Sequence, residues 1–283
     1  MNTVFIFTNR QQMLGAKIAK FALEKHRRDP ASFEVRIIEV EKIPALRDFE
    51  GTRYLFGRDD THRTYTLRDL QSFTLTRFMA PELMDYQGRA IGIDPDIFAC
   101  ADVTALFSFD LEGRALAACP KKKDWDSSVM VMDSAKLAHW KISDILADIK
   151  NDRRAYMSIM TLEHEEVTPL PREWNSLDIL TEETKMLHTT NRLTQPWKTG
   201  LPIDFTRNRH PKLFGLLPRE PLLKLLGKYP GRYQPHPDKK IERFFFTLLK
   251  EAINAGAVSE TEIKENIAKK YLRQDTLEVM KQI

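Results

Sequence analysis

The chain has 283 residues, of which 42% are hydrophobic and 30% are charged, the balance of a folded globular protein rather than a disordered one. Its 44 Lys and Arg residues against 40 Asp and Glu give a net charge of +4, too small to indicate nucleic-acid binding, and its two cysteines exclude a disulfide framework or a cysteine-based zinc site. The first residues lack a basic signal-peptide region, and no apolar run approaches the ~18 residues that span a bilayer, so we expect a cytoplasmic protein.

The N-terminal part predicts a strand, a helix and a second strand. Residues Thr3–Phe7 form a β-branched and aromatic run typical of a buried strand, and Phe33–Val40 alternates as a second strand does. Between them, apolar residues recur at helical spacing, namely Leu14, Ile18, Phe21 and Ala22. This order predicts a parallel sheet with crossover helices.

The next segments alternate between polar and apolar stretches. Asp48–Tyr65 is charged and predicts a long loop, Leu67–Met84 predicts a helix, and Ala90–Ile93 predicts a short strand. Ser128–Met132 predicts another buried strand, and the pattern then predicts one helix running through Leu137 to Ile149.

The composition changes near residue 200. Residues 205–243 hold ten Lys or Arg and three Asp or Glu, and six of the fifteen prolines lie between Pro211 and Pro237, which excludes one continuous helix. We therefore predict two domains, 1–200 and 201–283. The interleaved leucines of 205–243 either pack on the catalytic domain or, with the cations, seat the protein at the inner face of an anionic membrane.

The C-terminal tail predicts helices. An apolar stripe is formed by Ile241, Phe244, Phe245, Leu248, Leu249 and Ala252. Ser259 and Glu262 have capping-box spacing, which predicts the start of a last helix.

The tripeptide Asp94-Pro95-Asp96 follows directly after a predicted strand. Residues i and i+2 of an extended chain point to one side, so both carboxylates can converge on one ion, and Pro95 biases Asp94 toward the extended conformation. Ligands of open α/β sheets bind beyond the carboxyl ends of strands. The alternative is a turn in which one Asp caps the next segment.

The order of features around this tripeptide resembles glycosyltransferase family 8, the group of glycogenin and the bacterial lipopolysaccharide glycosyltransferases. Residues Phe73–Ala118 give a helix with Arg77, the segment Pro81–Met84, an apolar strand into Asp-x-Asp, and the segment Ala101–Phe107. Two later segments match in order. Trp125–Met132 is similar to the family's "Phe-Asn-Ser-Gly" strand, and His188 with Gln195-Pro196-Trp197 is similar to its "His…Lys-Pro-Trp" segment.

The resemblance covers roughly residues 1–200 and implies a fold, a reaction and a site. The fold is GT-A, a Rossmann-like mixed α/β sheet flanked by helices, here with a basic, mainly helical C-terminal extension. The reaction is transfer of a hexosyl group, with retention, from a nucleotide-diphospho-sugar, usually UDP-linked, to a glycan, lipid or small-molecule hydroxyl. By motif position Asp94, Asp96 and His188 would hold Mn²⁺ or Mg²⁺, Arg77 would contact the donor sugar, and Thr8-Asn9 would hold the base or ribose.

The sequence also departs from the family. Gln195 stands where the family has a lysine that meets the diphosphate, and Arg192 or Lys198 would have to supply that cation. The family's Asp-Gln pair near the reacting carbon has no counterpart, which leaves Asp126, in place of the family's asparagine, and Asp152 as candidate catalytic carboxylates.

These departures keep a second hypothesis open, a non-catalytic descendant that binds a nucleotide sugar or a partner protein. A phosphohydrolase is disfavoured because the first strand ends in Thr8-Asn9, with no aspartate. The scattered glycines form neither a dinucleotide-binding motif nor a P-loop.

Overall fold

The computed structural model describes residues 2–57, 61–204 and 231–283. They form two compact units, one ending at His188 and the other beginning at Thr189. Most of the basic segment predicted at 205–243 lies outside the described residues, so its packing or membrane contact stays a prediction.

Eleven strands belong to the first unit: β1 (Thr3–Thr8), β2 (Glu34–Glu39), β3 (Arg53–Leu55), β4 (His62–Thr64), β5 (Arg89–Ile93), β6 (Ile97–Ala99), β7 (Leu116–Pro120), β8 (Trp125–Asp133), β9 (Val167–Pro169), β10 (Ser176–Leu177) and β11 (Met186–His188). Its α-helices are α1 (Met13–His26), α2 (Pro44–Asp48), α3 (Ala80–Leu83), α4 (Ile142–Lys150) and α5 (Tyr156–Met160). The second unit contains α6 (Lys239–Asn254), α7 (Glu260–Ala268) and α8 (Thr276–Gln282).

A six-stranded mixed sheet in the order β2-β1-β5-β8-β7-β9 forms the centre of the first unit. β1 runs parallel to β2 and β5, and β8 runs antiparallel to β5 and β7. All six residues of β1 are buried, as expected for a strand covered on both faces. The predicted strand–helix–strand opening and the predicted strands at β5 and β8 are confirmed, whereas β7 and β9 were missed.

Two smaller sheets lie in regions without a clear sequence pattern. The strands β10-β11-β6 form one sheet, in which β6 and β11 are antiparallel. β3 and β4 form an antiparallel hairpin inside the stretch 48–65, so the prediction of an unstructured long loop there was wrong. This hairpin escaped prediction because its strands are three residues long and carry Arg53, His62 and Arg63.

Two predicted helices differ in extent from the observed ones. The helix predicted over Leu67–Met84 begins only at Ser72, as a 3-10 helix to Met79 that continues into α3. The helix predicted from Leu137 to Ile149 is divided into a 3-10 turn, Ser134–Leu137, and α4. Trp140, which is buried against Phe78, lies in the break.

The second unit confirms the predicted apolar stripe with one change. Phe246 is buried in α6 where Phe244 was expected, and Trp197 packs on Phe245 with ring centroids 4.7 Å apart. Ser259 and Glu262 form the predicted capping box of α7, but α8 follows, so α7 is not the last helix. Among the described helices, none combines the length and apolarity needed to cross a bilayer.

Candidate functional site

Three side chains that could ligate a metal ion meet beyond the carboxyl end of β5. Asp94, Asp96 and His188 each offer a ligand atom, and these atoms all lie within 4.8 Å of one another. His188 Nε2 is 3.6 Å from Asp96 Oδ1. The structure thus brings together the three residues proposed to bind the metal.

Backbone geometry places these residues. β5 ends at Ile93, and a turn closed by the Ile97 amide, which donates to Asp94 O at 3.3 Å, leads into β6. His188 pairs with Ile97 in the antiparallel β6–β11 register, and this pairing brings it beside Asp96 across a large sequence separation. Helix α1 packs against the Asp94-Pro95-Asp96 turn at Gly15. The approach is so close that a Cβ at Gly15 would lie only 2.7 Å from Pro95 O.

Arg77 clamps Asp94 from the 3-10 helix Ser72–Met79. Arg77 Nε donates to Asp94 Oδ1 at 2.8 Å and Nη2 donates to Oδ2 at 2.5 Å, while Nη1 donates to Ser127 Oγ at 2.9 Å. A guanidinium has five N–H groups, and the hydrogen bonds among the described residues use three of them, which leaves two for a ligand. Each Asp94 oxygen likewise keeps a second lone pair for an ion.

Asp126, near the start of β8, carries a second buried carboxylate of the site. Its Oδ1 accepts from the Ser128 hydroxyl at 2.7 Å and from the Ser128 amide at 3.1 Å, and its Oδ2 lies 3.3 Å from Lys121 Nζ. Burial raises the pKa of Asp126, but Lys121 and the Ser128 hydrogen bonds outweigh it and lower the pKa to about 2. Asp126 is therefore ionised at neutral pH.

His188 is linked to this carboxylate through Asn175. Asn175 Oδ1 lies 2.8 Å from His188 Nδ1, and Asn175 Nδ2 donates to Ser128 Oγ at 3.1 Å. Burial lowers the pKa of His188 to about 4 against the opposing effect of Asp126. The imidazole is therefore neutral at pH 7, the form that ligates a metal.

The loop predicted to bind the nucleotide, Thr8-Asn9, is held by hydrogen bonds to other parts of the first unit. Thr8 is buried and donates its hydroxyl to Asn9 O at 3.2 Å. Asn9 Nδ2 donates to Asp69 O, Leu70 O and Ser72 Oγ, and Asn9 Oδ1 accepts from the Gln12 amide. These contacts anchor the loop after β1 to the start of the helix that carries Arg77.

The remaining predicted site residues are Asp152, Lys198 and Arg192. Asp152 is half exposed, accepts from the Leu55 amide at 3.1 Å and pairs with His62 at 3.2 Å, so it is bonded to the β3–β4 hairpin. Lys198 is buried in the second unit with its Nζ 2.6 Å from Asp204 Oδ2. Arg192 begins a 3-10 turn of the same unit. The proposed diphosphate role of Arg192 and Lys198 stays a prediction.

Four polar residues of the site were not predicted from the sequence. Ser127 and Ser128 lie in a segment matched to the family but were assigned no role, and Lys121 belongs to a run of three lysines that reads as a solvated turn. Asn175 ends a short 3-10 helix and is fully buried. Its position depends on contacts between distant segments, which local spacing does not reveal.

The donor atoms fit a hard divalent cation. Two carboxylates and one neutral imidazole combine the oxygen ligands of Mg²⁺ and Mn²⁺ with a nitrogen that favours Mn²⁺. Cys100 and Cys119 lie outside this cluster. The described residues therefore offer three side chains that could ligate such an ion.

Comparisons with known proteins bear on the fold. No protein-family model and no curated protein matches the sequence. An active-site mutant of LgtC is similar in structure, with a TM-score of 0.50 and 14% identity over 80% of this chain and 95% of that chain.

Two further glycosyltransferase structures are less similar. The apo form of GlyE from Streptococcus pneumoniae TIGR4 has a TM-score of 0.49 and 17% identity over 84% of this chain. Bifunctional WbbM has a TM-score of 0.49 and 13% identity over 70% of this chain. The match spans 65% of GlyE and 47% of WbbM. The mixed sheet flanked by helices and its likeness to LgtC show that the chain has a GT-A glycosyltransferase fold.

Proposed function

We propose that this protein is a divalent-metal-dependent glycosyltransferase that moves a hexosyl group from a nucleotide-diphospho-sugar to a hydroxyl acceptor. The observation that supports the proposal most directly is the convergence of Asp94, Asp96 and His188, with ligand atoms within 4.8 Å of one another, at the strand edge where an α/β sheet binds its ligands. Mn²⁺ is the expected ion, with Mg²⁺ as the alternative.

The chemistry of the donor explains why this site needs an ion. A nucleoside diphosphate leaves with growing negative charge, and a bound divalent ion would supply Lewis-acid neutralisation of that charge. Asp96 and His188 would hold the ion with a free lone pair of Asp94. Because Arg77 and Asp94 fix each other, the two remaining N–H groups of Arg77 are preorganised for a donor-sugar hydroxyl.

The remaining features of the reaction come from the family resemblance. UDP as the nucleotide, retention at the anomeric carbon, and a glycan, lipid or small-molecule acceptor are proposed on that basis. Asp126 is joined to the cluster through Ser128 and Asn175, and it is the candidate carboxylate that this geometry favours over Asp152.

Donor hydrolysis and transfer test the activity. Purified protein is incubated with Mn²⁺ and a panel of nucleotide sugars, and release of nucleoside diphosphate is measured for the wild type, Asp96→Asn and Asp110→Asn. Asp110 is an exposed aspartate whose carboxylate accepts from the Glu112 amide, so it serves as the matched control. We expect Asp96→Asn to abolish turnover and metal-dependent UDP binding, and Asp110→Asn to retain both.

The alternative of a non-catalytic binding protein makes a different prediction. Gln195 in place of the family's lysine motivates it, and its side chain is buried and donates to Thr189 O at 3.4 Å. Metal-dependent UDP binding by calorimetry with every donor left intact would favour this alternative. Absence of both binding and turnover, with Asp96→Asn indistinguishable from wild type, would contradict the proposed function.

A further inference from the structure

Four buried polar side chains form a continuous hydrogen-bonded chain from Asp126 to His188. Ser128 Oγ donates to Asp126 Oδ1 at 2.7 Å, and Asn175 Nδ2 donates to Ser128 Oγ at 3.1 Å. Asn175 Oδ1 then lies 2.8 Å from His188 Nδ1. All four residues are buried, where a donor or acceptor left without a partner costs about 1–3 kcal/mol.

The chemistry of each group sets the direction of every bond in this chain. The ionised carboxylate of Asp126 only accepts, so the Ser128 hydroxyl proton points toward it. The Ser128 oxygen therefore accepts from the Asn175 amide nitrogen, which turns the Asn175 carbonyl oxygen toward His188. That oxygen only accepts as well, so His188 Nδ1 must carry the proton.

The competing tautomer has the weaker contact. A proton on His188 Nε2 would point toward Asp96 Oδ1, but those atoms are 3.6 Å apart, beyond hydrogen-bond distance. The Asn175 contact at 2.8 Å has hydrogen-bond length. With the proton on Nδ1, the Nε2 lone pair faces Asp96, where a metal ligand needs it.

We propose that Asn175 is a positioning residue of the metal site, which holds His188 as the Nδ1–H tautomer and directs its Nε2 lone pair toward the Asp94–Asp96 side. The inference deepens the proposed function, on which its metal part rests. The tautomer itself depends only on the protein and is measurable without an ion.

The test combines two readouts on the full chain. Long-range ¹H–¹⁵N NMR at pH 8, where an imidazole with an ordinary pKa of about 6.5 is already neutral, identifies the His188 tautomer. Electron paramagnetic resonance of free Mn²⁺ gives the metal affinity. The variants are Asn175→Leu, which removes the acceptor, and Ser128→Ala, a smaller change that removes the group orienting the amide.

Ser134→Ala is the matched control. Ser134 is fully buried just beyond β8, and among the described residues its hydroxyl has no hydrogen-bond partner. We expect the wild type and Ser134→Ala to show Nδ1–H and equal Mn²⁺ affinity. Asn175→Leu should populate Nε2–H and lose about ten- to hundredfold in Mn²⁺ affinity, the usual effect of removing an outer partner of a ligating histidine. Ser128→Ala should shift both readouts in the same direction by less.

The two readouts separate the positioning role of Asn175 from metal binding. An Nε2–H tautomer in the wild type, or a tautomer and Mn²⁺ affinity unchanged in both Asn175→Leu and Ser128→Ala, overturns the proposal. If the wild type retains no Mn²⁺ but shows Nδ1–H that Asn175→Leu loses, the metal part of the proposed function is wrong while the positioning by Asn175 stands.

Discussion

The Arg77–Asp94 pair offers a quantitative test of how the site is built. Both side chains are buried, and the guanidinium makes two bonds to the carboxylate, at 2.8 and 2.5 Å, and a third to Ser127. Arg77→Met leaves a carboxylate in a low-dielectric site without its bidentate partner. Removing one partner of a buried pair costs about 3–5 kcal/mol, and we expect this loss in the free energy of unfolding. Asp94→Asn should cost a similar amount because it leaves a buried cation.

A double-mutant cycle separates the pair from its surroundings. In Arg77→Met/Asp94→Asn neither charge of the pair remains, so the loss should be smaller than the sum of the single losses, with a coupling energy of about 2 kcal/mol or more. The assay is urea unfolding in the presence of EDTA, so that no ion compensates the charges. The exposed pair Arg114–Glu112, at 3.3 Å, is the control and should show a coupling of about 0–1 kcal/mol. Single losses below about 1 kcal/mol, the range of a surface pair, or strictly additive losses would refute the reasoning.

Two further predictions concern the backbone and the pH dependence of the site. Gly15→Ala should weaken Mn²⁺ binding and lower the free energy of unfolding, because the added methyl group would meet Pro95 O at 2.7 Å and displace the Asp94-Pro95-Asp96 turn. Calorimetry measures the Mn²⁺ affinity, and urea unfolding measures the stability. The control is Gly231→Ala, where a Cβ meets nothing within 4 Å, and it should change neither quantity. The free energy of unfolding should also fall as the pH drops from about 6.5 to about 4, because the unfolded chain takes up a proton that His188, with a folded pKa of about 4, does not. Chemical unfolding at several pH values should show a shallower slope for His188→Gln, and equal slopes for the two proteins would contradict the assignment.

The sequence predicted what local patterns determine. The strand β1, helix α1 and strand β5 follow from short apolar runs and helical spacing, and the two carboxylates after β5 follow from one tripeptide. His188 was identified through family resemblance, because nothing in its own neighbourhood distinguishes it from a packing histidine. The strand pairing that places it beside Asp96 involves β6 and β11, each three residues long, and such short strands carry too little periodicity to be recognised.

Residues whose role depends on distant contacts were not predictable in this way. Asn175 acts through hydrogen bonds to Ser128 and His188, and Lys121 acts through its pair with Asp126. Asparagine and lysine are both common on protein surfaces, and only the burial of Asn175 and the proximity of Lys121 to Asp126 distinguish these two residues from others of their kind. Asp152 was a candidate catalytic carboxylate because the family's Asp-Gln pair has no counterpart here, and its contacts join it to the β3–β4 hairpin, a pairing that local spacing does not reveal.

The charges of the described residues bear on what a bound metal ion would do at this site. Arg77 offsets the charge of Asp94, and Lys121 offsets that of Asp126. Asp96 faces His188, and an imidazole with a pKa of about 4 brings no positive charge to it at neutral pH. A divalent cation bound by Asp96 and the Nε2 lone pair of His188 would add positive charge beside these carboxylates, and this charge would attract a diphosphate to a site built largely from acids.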